Sequence, residues 1–202
     1  MSGGDMCIGA VLLAAGQSSR FGGNKLLADF GGRPVVCRAM EAVRELAPVR
    51  RVIVTGNEEI AALAKTYGFA VISNRQPELG LSRSIHLGVE SVADLDAVLL
   101  LTGDQPLLTG KSLKRLCSQF KDGEKGIACL RDGTHSGNPA VFSNRYFPQL
   151  LALEGDCGAK RILRANAHDL AVVSCGREDE LEDCDTPQAL ASLIQRMRTE
   201  TI

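Results

Sequence analysis

Four short apolar runs punctuate the first half of the chain: CIGAVLLA at 7–14, RRVIVTG at 50–56, FAVIS at 69–73 and DAVLLLTGD at 96–104. Each is rich in Val, Ile and Leu, apolar at consecutive rather than alternate positions, and too short for a helix. A strand covered on both faces, as in a parallel sheet, has this pattern. Between the runs the period changes. Val36, Met40, Val43 and Leu46 recur at helical spacing, with Pro34 at the first turn. NEEIAALAKTYG at 57–68 opens on an Asn cap and closes on Gly68. Alternation of strand and helix with short connections predicts an α/β fold, an open and mostly parallel twisted sheet with helices on both faces.

The second half is less regular. GIACLRDGTHSGNPAVFS at 126–143 predicts two strands joined by a polar, Gly-containing loop, an antiparallel excursion from the parallel sheet. DTPQALASLIQRMR predicts a final helix with Thr186 as cap and Pro187 in its first position. KSLKRL at 111–116 reads as a solvated helix face. No internal repeat, low-complexity tract or long linker divides the chain, so residues 1–202 are expected to form a single domain.

Composition narrows the function classes. A net charge of −1 over 202 residues gives no global attraction to nucleic acid or to an anionic membrane, so any basic function must be local. Seven cysteines include no CxxC pair, which excludes the usual metal-site spacing and points to a reducing compartment with the thiols serving as small apolar groups. MSGGDMC lacks a basic targeting region and the apolar run behind it is too short to span a bilayer. The expectation is a soluble, cytoplasmic protein.

The first strand runs into LLAAGQSSRFGGNK at 12–25. In an open α/β sheet, ligands gather at the carboxyl ends of the strands. Gly16, Gly22 and Gly23 can present bare backbone N–H groups to an anion, and Arg20 and Lys25 add two full charges. A triphosphate fits such a loop best; the alternative is a glycine-rich turn with solvated basic side chains. Neither GxxxxGK[ST] nor GxGxxG is present. Asp104, just beyond an apolar strand, is a hard carboxylate suited to Mg²⁺ together with phosphate oxygens, or else a turn residue capping the next helix. Ser82 and Ser84 follow Gly80 at a helix start, where they either read a nucleotide's base or sugar or merely cap the helix. Asn74 either holds the base or ends a strand in a turn. Asp185 is a second metal contact or the residue ahead of a helix cap, and Asp183 is a weaker candidate.

The spacing A-A-G-x-S-x-R-x-G-x-x-K from Ala14 to Lys25 resembles the signature loop of the MobA-like nucleotidyltransferases. Five further segments follow in the order found in the molybdenum cofactor cytidylyltransferase branch: NRQPELGLSRSIHLGV at 74–89, LLLTGDQPLL at 99–108, SGNPAVF at 136–142, EGDCGAKRIL at 154–163 and EDCDTPQAL at 182–190. The resemblance implies a Rossmann-like nucleotidyltransferase fold, with residues 7–110 as the nucleotide-binding half and 111–198 as the acceptor-binding half. It implies transfer of CMP from CTP to the terminal phosphate of molybdenum cofactor, with Mg²⁺ and release of pyrophosphate. The residues it assigns to the nucleotide are Ala14, Ala15, Gly16, Ser18, Arg20, Gly22, Lys25, Asn74, Gly80, Ser82 and Ser84. It gives catalysis to Lys25, Arg20 and Asp104, and the metal to Asp104 and Asp185. Gln105, Gly137, Asn138, Pro139, Asp156, Gly158 and Lys160 border the acceptor.

Three positions depart from the family pattern: Asn138 stands for its usual His, Lys160 for Arg, and Phe21 for Met. Lys160 keeps the charge but loses the bidentate fork. The methyl of Ala15, where guanylyl-transferring relatives carry Gly, favours a pyrimidine base. The resemblance also implies delivery to a hydroxylase of the xanthine dehydrogenase type, or to its maturation factor, and neither nucleic acid nor membrane as partner. GTP, a sugar or alcohol phosphate acceptor, and a cofactor-binding chaperone without transfer are the competing readings. His86, His135 and His168 are scattered and read as ordinary surface or helix residues; Cys157 carries no mark of reactivity.

Overall fold

The computed structural model describes residues 6–16, 21–133 and 135–199. Its strands form one seven-stranded sheet in the order β3-β2-β1-β4-β6-β5-β7. The first four apolar runs become β1 (Ile8–Leu13), β2 (Arg50–Thr55), β3 (Ala70–Ser73) and β4 (Ala97–Thr102), all mutually parallel. The predicted antiparallel excursion is β5 (Ile127–Arg131) and β6 (Ser136–Ser143), with β6 antiparallel to both β4 and β5. β7 (Leu170–Ser174) runs parallel to β5 at the sheet's edge. The sequence pattern did not announce β7, because LAVVS is short and its residues are partly exposed at an edge.

Alternate side chains along each strand feed two separate cores. Ala10, Leu12, Ile53, Leu99 and Leu101 join one cluster, and Val11, Leu13, Val52, Val54 and Leu100 the other. The first is covered by α1 (Val35–Leu46), α2 (Glu58–Thr66), α4 (Gly110–Asp122) and α7 (Pro187–Thr199), through Val36, Met40, Ile60, Leu113, Leu116 and Leu193. The second is covered by α3 (Leu81–Glu90), α5 (Phe147–Leu151) and α6 (Lys160–Ala165), through Ile85, Val89, Leu150, Ile162 and Leu163. Burial on both faces is why the central strands lack a two-residue alternation.

Helix ends fall where their cap chemistry predicts. Asn57 Oδ1 accepts from Ile60 N at 2.9 Å, Thr109 Oγ1 from Ser112 N at 3.2 Å, and Thr186 Oγ1 from Ala189 N at 3.1 Å. α3 lies close over the sheet because Gly88 faces it: a Cβ there would stand 2.3 Å from Cγ1 of the buried Val11.

Gly88→Ala therefore sets two effects against each other. Helix propensity favours Ala by up to about 1 kcal/mol, while crowding a packed core costs about 1–3 kcal/mol. Crowding wins against an immobile strand side chain. The expected result is a loss of about 1 kcal/mol in urea unfolding; an unchanged or higher midpoint would mean that α3 moves away from β1 without cost.

Candidate functional site

The carboxyl ends of β1 and β4 open into a cleft of about 520 Å³, lined by Ala15, Gly16, Lys25, Gly80, Ser84, Asp104, Asp156 and Asp185 among others. The backbone after β1 is pinned before it reaches the cleft. Ala14 N donates to Val54 O at 2.9 Å, and Ala14 O accepts from the buried Thr55 hydroxyl at 3.0 Å. Beyond the loop, Asn24 Oδ1 accepts from Leu26 N at 3.1 Å and caps a single turn that begins at Lys25. That cap aims the Lys25 side chain back across the ends of the strands.

Lys25 Nζ donates to Asp104 Oδ2 at 2.6 Å and to Asp185 Oδ1 at 2.5 Å, drawing together residues 79 and 160 positions away. Burial works to lower the lysine's pKa, but the two carboxylates outweigh it and hold the group above the usual lysine value, so it stays charged. Asp104 is brought there by the end of β4, with Gly103 N donating to Leu13 O and Cys184 N to Asp104 O. The second bond explains how the 182–186 segment reaches the cleft. The other oxygen, Asp104 Oδ1, is buried and has no hydrogen-bond partner among the described residues. A buried, unpartnered carboxylate oxygen is costly, and it is a hard donor of the kind a divalent cation takes. With half-exposed Asp185 opposite, the pair fits such a cation.

Asp183 sits close behind. Desolvation first, then the Asp104 and Asp185 carboxylates, push its pKa up to about 6, although the residue keeps solvent access. The buried Gln105 ties this wall together. Its Nε2 donates to Leu181 O at 3.0 Å and its Oε1 accepts from Asn138 Nδ2 at 3.2 Å. Asn138 Nδ2 also donates to Thr102 Oγ1 at 2.7 Å.

A second pocket of about 310 Å³ adjoins the cleft and shares Leu13, Leu81, Thr102 and Asp104 with it. Its apolar lining comes from Leu13, Leu81, Ile85, Leu100 and Ala140. The polar lining includes Gln105, His135, Asn138 and Lys160.

Most residues singled out in the sequence gather at these two pockets, with differences in detail. Ser18 and Arg20 lie outside the described residues. Gly22 adopts φ +75 beyond the cleft's lining. Asn74 and Ser82 are buried and line neither pocket. Asn74 Nδ2 donates to Ser84 Oγ at 3.0 Å, and its Oδ1 accepts from Gln76 N at 3.0 Å, the turn role left open by the sequence. Ser82 N donates to Gly155 O at 3.1 Å. Asp156 lines the first cleft, whereas Gly137, Gly158 and Lys160 line the second; Pro139 is buried in β6 beside it. The apolar lining residues, not singled out in the sequence, and His135, read there as an ordinary surface or helix residue, also line the second pocket. The lining residues look like any strand or helix core, and His135 has no spacing signal.

An open sheet, a loop lysine and a strand-end carboxylate thus meet at the mouth of the cleft. The family model described as MobA-like NTP transferase domain matches residues 10–171, and the chain belongs to that nucleotidyltransferase family. A molybdenum cofactor guanylyltransferase of Xanthomonas euvesicatoria pv. vesicatoria is 28% identical over 195 residues, covering 91% of this chain and 93% of that protein. The bifunctional protein GlmU of Rhizorhabdus wittichii is 30% identical over 131 residues, 62% of this chain; the chain spans only 29% of that relative's length. Nicotine blue oxidoreductase of Paenarthrobacter nicotinovorans is 27% identical over 197 residues, covering 93% and 97%. In fold, a nucleotidyl transferase from Methanothermobacter aligns with a TM-score of 0.79 at 23% identity, covering 97% of this chain and all of the other. A mycobacterial homologue of Rv0371c aligns at 0.81 and 22%, covering 95% and 97%.

The raised Asp183 carboxyl has a consequence for stability. A folded-state pKa of about 6 against an unfolded 3.8 penalises the folded protein as pH rises through that window, fully above it and not at all below. Two units correspond to about 3 kcal/mol at most; solvent access to the carboxylate reduces this to about 1 kcal/mol. Metal-free Asp183→Asn is therefore expected to unfold at higher urea than the parent at pH 8, with the difference vanishing below pH 4. An equal gain at both pH values would show that charge is not the cause.

Proposed function

We propose that the protein transfers CMP from CTP to the terminal phosphate of molybdenum cofactor, releasing pyrophosphate, with a divalent cation, Mg²⁺, held by Asp104 and Asp185. The observation that carries this reading is the meeting of Lys25, Asp104 and Asp185 at the junction of a polar cleft and an apolar-floored pocket. Charge bookkeeping points the same way. Among the described residues lining the cleft, Lys25 carries positive charge against Glu78, Asp104, Asp156 and Asp185. A triphosphate adds further negative charge to that wall, so its binding requires cations beyond Lys25. A bound divalent cation supplies that neutralisation at the phosphate oxygens.

In this reading Gly16 offers backbone to the triphosphate, and Lys25 turns from the carboxylates to the phosphate oxygens and stabilises the charge that develops there. Arg20 joins it from the same loop. The acceptor's phosphate attacks the α-phosphorus and pyrophosphate leaves, a reaction in which alignment and charge stabilisation carry most of the catalysis. Ala15 lines the cleft, and its methyl takes room from a base seated there. One methyl is worth about 1–3 kcal/mol of discrimination, which supports CTP over GTP by about ten-fold or more. An apolar lining that includes Ile85, Leu100 and Ala140, joined by polar Gln105, Asn138 and Lys160, suits a ring system with a polar edge better than a sugar. The product would pass to a hydroxylase of the xanthine dehydrogenase type or its maturation factor.

The test is pyrophosphate release from purified protein, molybdenum cofactor and Mg²⁺ with CTP or GTP. Release with CTP, lost on chelation by EDTA, is expected. Release with GTP alone would assign the guanylyl reaction, and release only with a sugar or alcohol phosphate would assign another acceptor. Cofactor binding without release would leave a chaperone. Lys25→Ala and Asp104→Ala are each expected to lower kcat by about 100- to 1,000-fold with circular dichroism unchanged; a near-normal kcat in either variant would remove that residue from the mechanism.

A further inference from the structure

The second pocket contains an arrangement that neither the sequence motifs nor the metal carboxylates account for. Asp132 follows β5, and its carboxylate is fully buried. Such a group must be compensated by hydrogen bonds. Leu181 N donates to Oδ2 at 2.9 Å and His135 N to Oδ1 at 2.7 Å, and Asp132 N returns a bond to His135 O at 3.1 Å, closing a tight turn. The same carboxylate also faces the imidazole, with Nδ1 at 3.2 Å from Oδ1 and 3.3 Å from Oδ2. His135 itself is half exposed and lines the pocket with Gly137, Asn138 and Lys160.

A carboxylate bonded to one imidazole nitrogen places the proton there and fixes the ring's plane. For His135 this assigns Nδ1–H toward Asp132 and makes Nε2 the acceptor in the neutral ring. We infer that His135, oriented by Asp132, is a specificity residue of the acceptor pocket, accepting at Nε2 a hydrogen bond from an N–H on the edge of a flat heterocyclic acceptor whose face rests on Ile85, Leu100 and Ala140. Asp132 is the positioning residue. This rests on the proposed reading of the pocket as the acceptor's, but it does not depend on which nucleotide is transferred.

The experiment measures binding of 6-hydroxymethylpterin to nucleotide-free protein by the pterin's own fluorescence, beside CTP affinity by calorimetry. The parent protein is expected to bind the pterin. His135→Phe, which keeps the ring's bulk and removes its nitrogen, should weaken that binding by about ten-fold while CTP affinity stays within two-fold. His135→Gln should recover part of the loss through its amide oxygen. Asp132→Asn should weaken pterin binding with CTP affinity unchanged, and in turnover should raise the acceptor's KM rather than lower kcat. Pterin binding that is equal in the parent and His135→Phe, or absent in the parent, would overturn the inference. So would an equal loss of pterin and CTP affinity. If the parent binds pterin with this pattern yet releases no pyrophosphate, the recognition role stands and the transfer reading fails.

Discussion

One ammonium group shared by two carboxylates sets the geometry of this molecule's working end. Asp104 terminates a central strand and Asp185 precedes the last helix, and at this separation two anions repel unless a cation stands between them. Lys25 supplies that cation from a third segment, the loop after β1. Three distant parts of the chain are thereby held at the mouth of the sheet by one charge balance. The surrounding backbone is arranged to serve it: Cys184 N on Asp104 O and Gly103 N on Leu13 O carry no specificity of their own, but they hold the carboxylates within reach of the lysine.

A second layer of polar contacts borders the second pocket. Gln105, almost fully buried, bonds to Asn138 and to the Leu181 carbonyl, and Leu181 N in turn bonds to Asp132. Glu180, next in sequence, accepts from Thr109 N, the Thr109 and Ser112 hydroxyls and Gly176 N. A buried carboxylate with four donors is a staple: it fixes the 176–186 segment to the start of α4, and so fixes where Leu181, Asp183 and Asp185 emerge. Networks of this kind are strong when every member is satisfied and costly when one is lost.

Much of this was legible in the sequence, and the reasons differ by element. The parallel strands were visible because burial on both faces writes an unbroken apolar run, and the helix ends because Asn57 and Thr186 cap by a local mechanism. Lys25 and Asp104 drew attention because a glycine-rich loop and a carboxylate both follow strand ends of one open sheet, where ligands gather. β7 was not, since a short edge strand needs neither continuous burial nor alternation. Asn74 has a polar side chain that its own neighbourhood consumes, a fate that no spacing rule distinguishes from ligand contact. The pocket floor was hidden for the opposite reason: Ile85, Leu100 and Ala140 are core residues that also line a pocket. His135 emerged only once the turn brought it back onto Asp132.

The approach of α3 to the loop before α6 has a wider meaning. Gly80 and Gly155 meet backbone to backbone, with room for a side chain on Gly80 excluded by 2.4 Å, and Ser82 N is bonded to Gly155 O. Gly80 and Asp156 line the first cleft, while Gly158 and Lys160 line the second. The two cavities are therefore bordered by one continuous, closely packed segment. Thermodynamic linkage makes any coupling across that segment reciprocal: an occupant of one cavity that changes the other's affinity has its own affinity changed by the same factor.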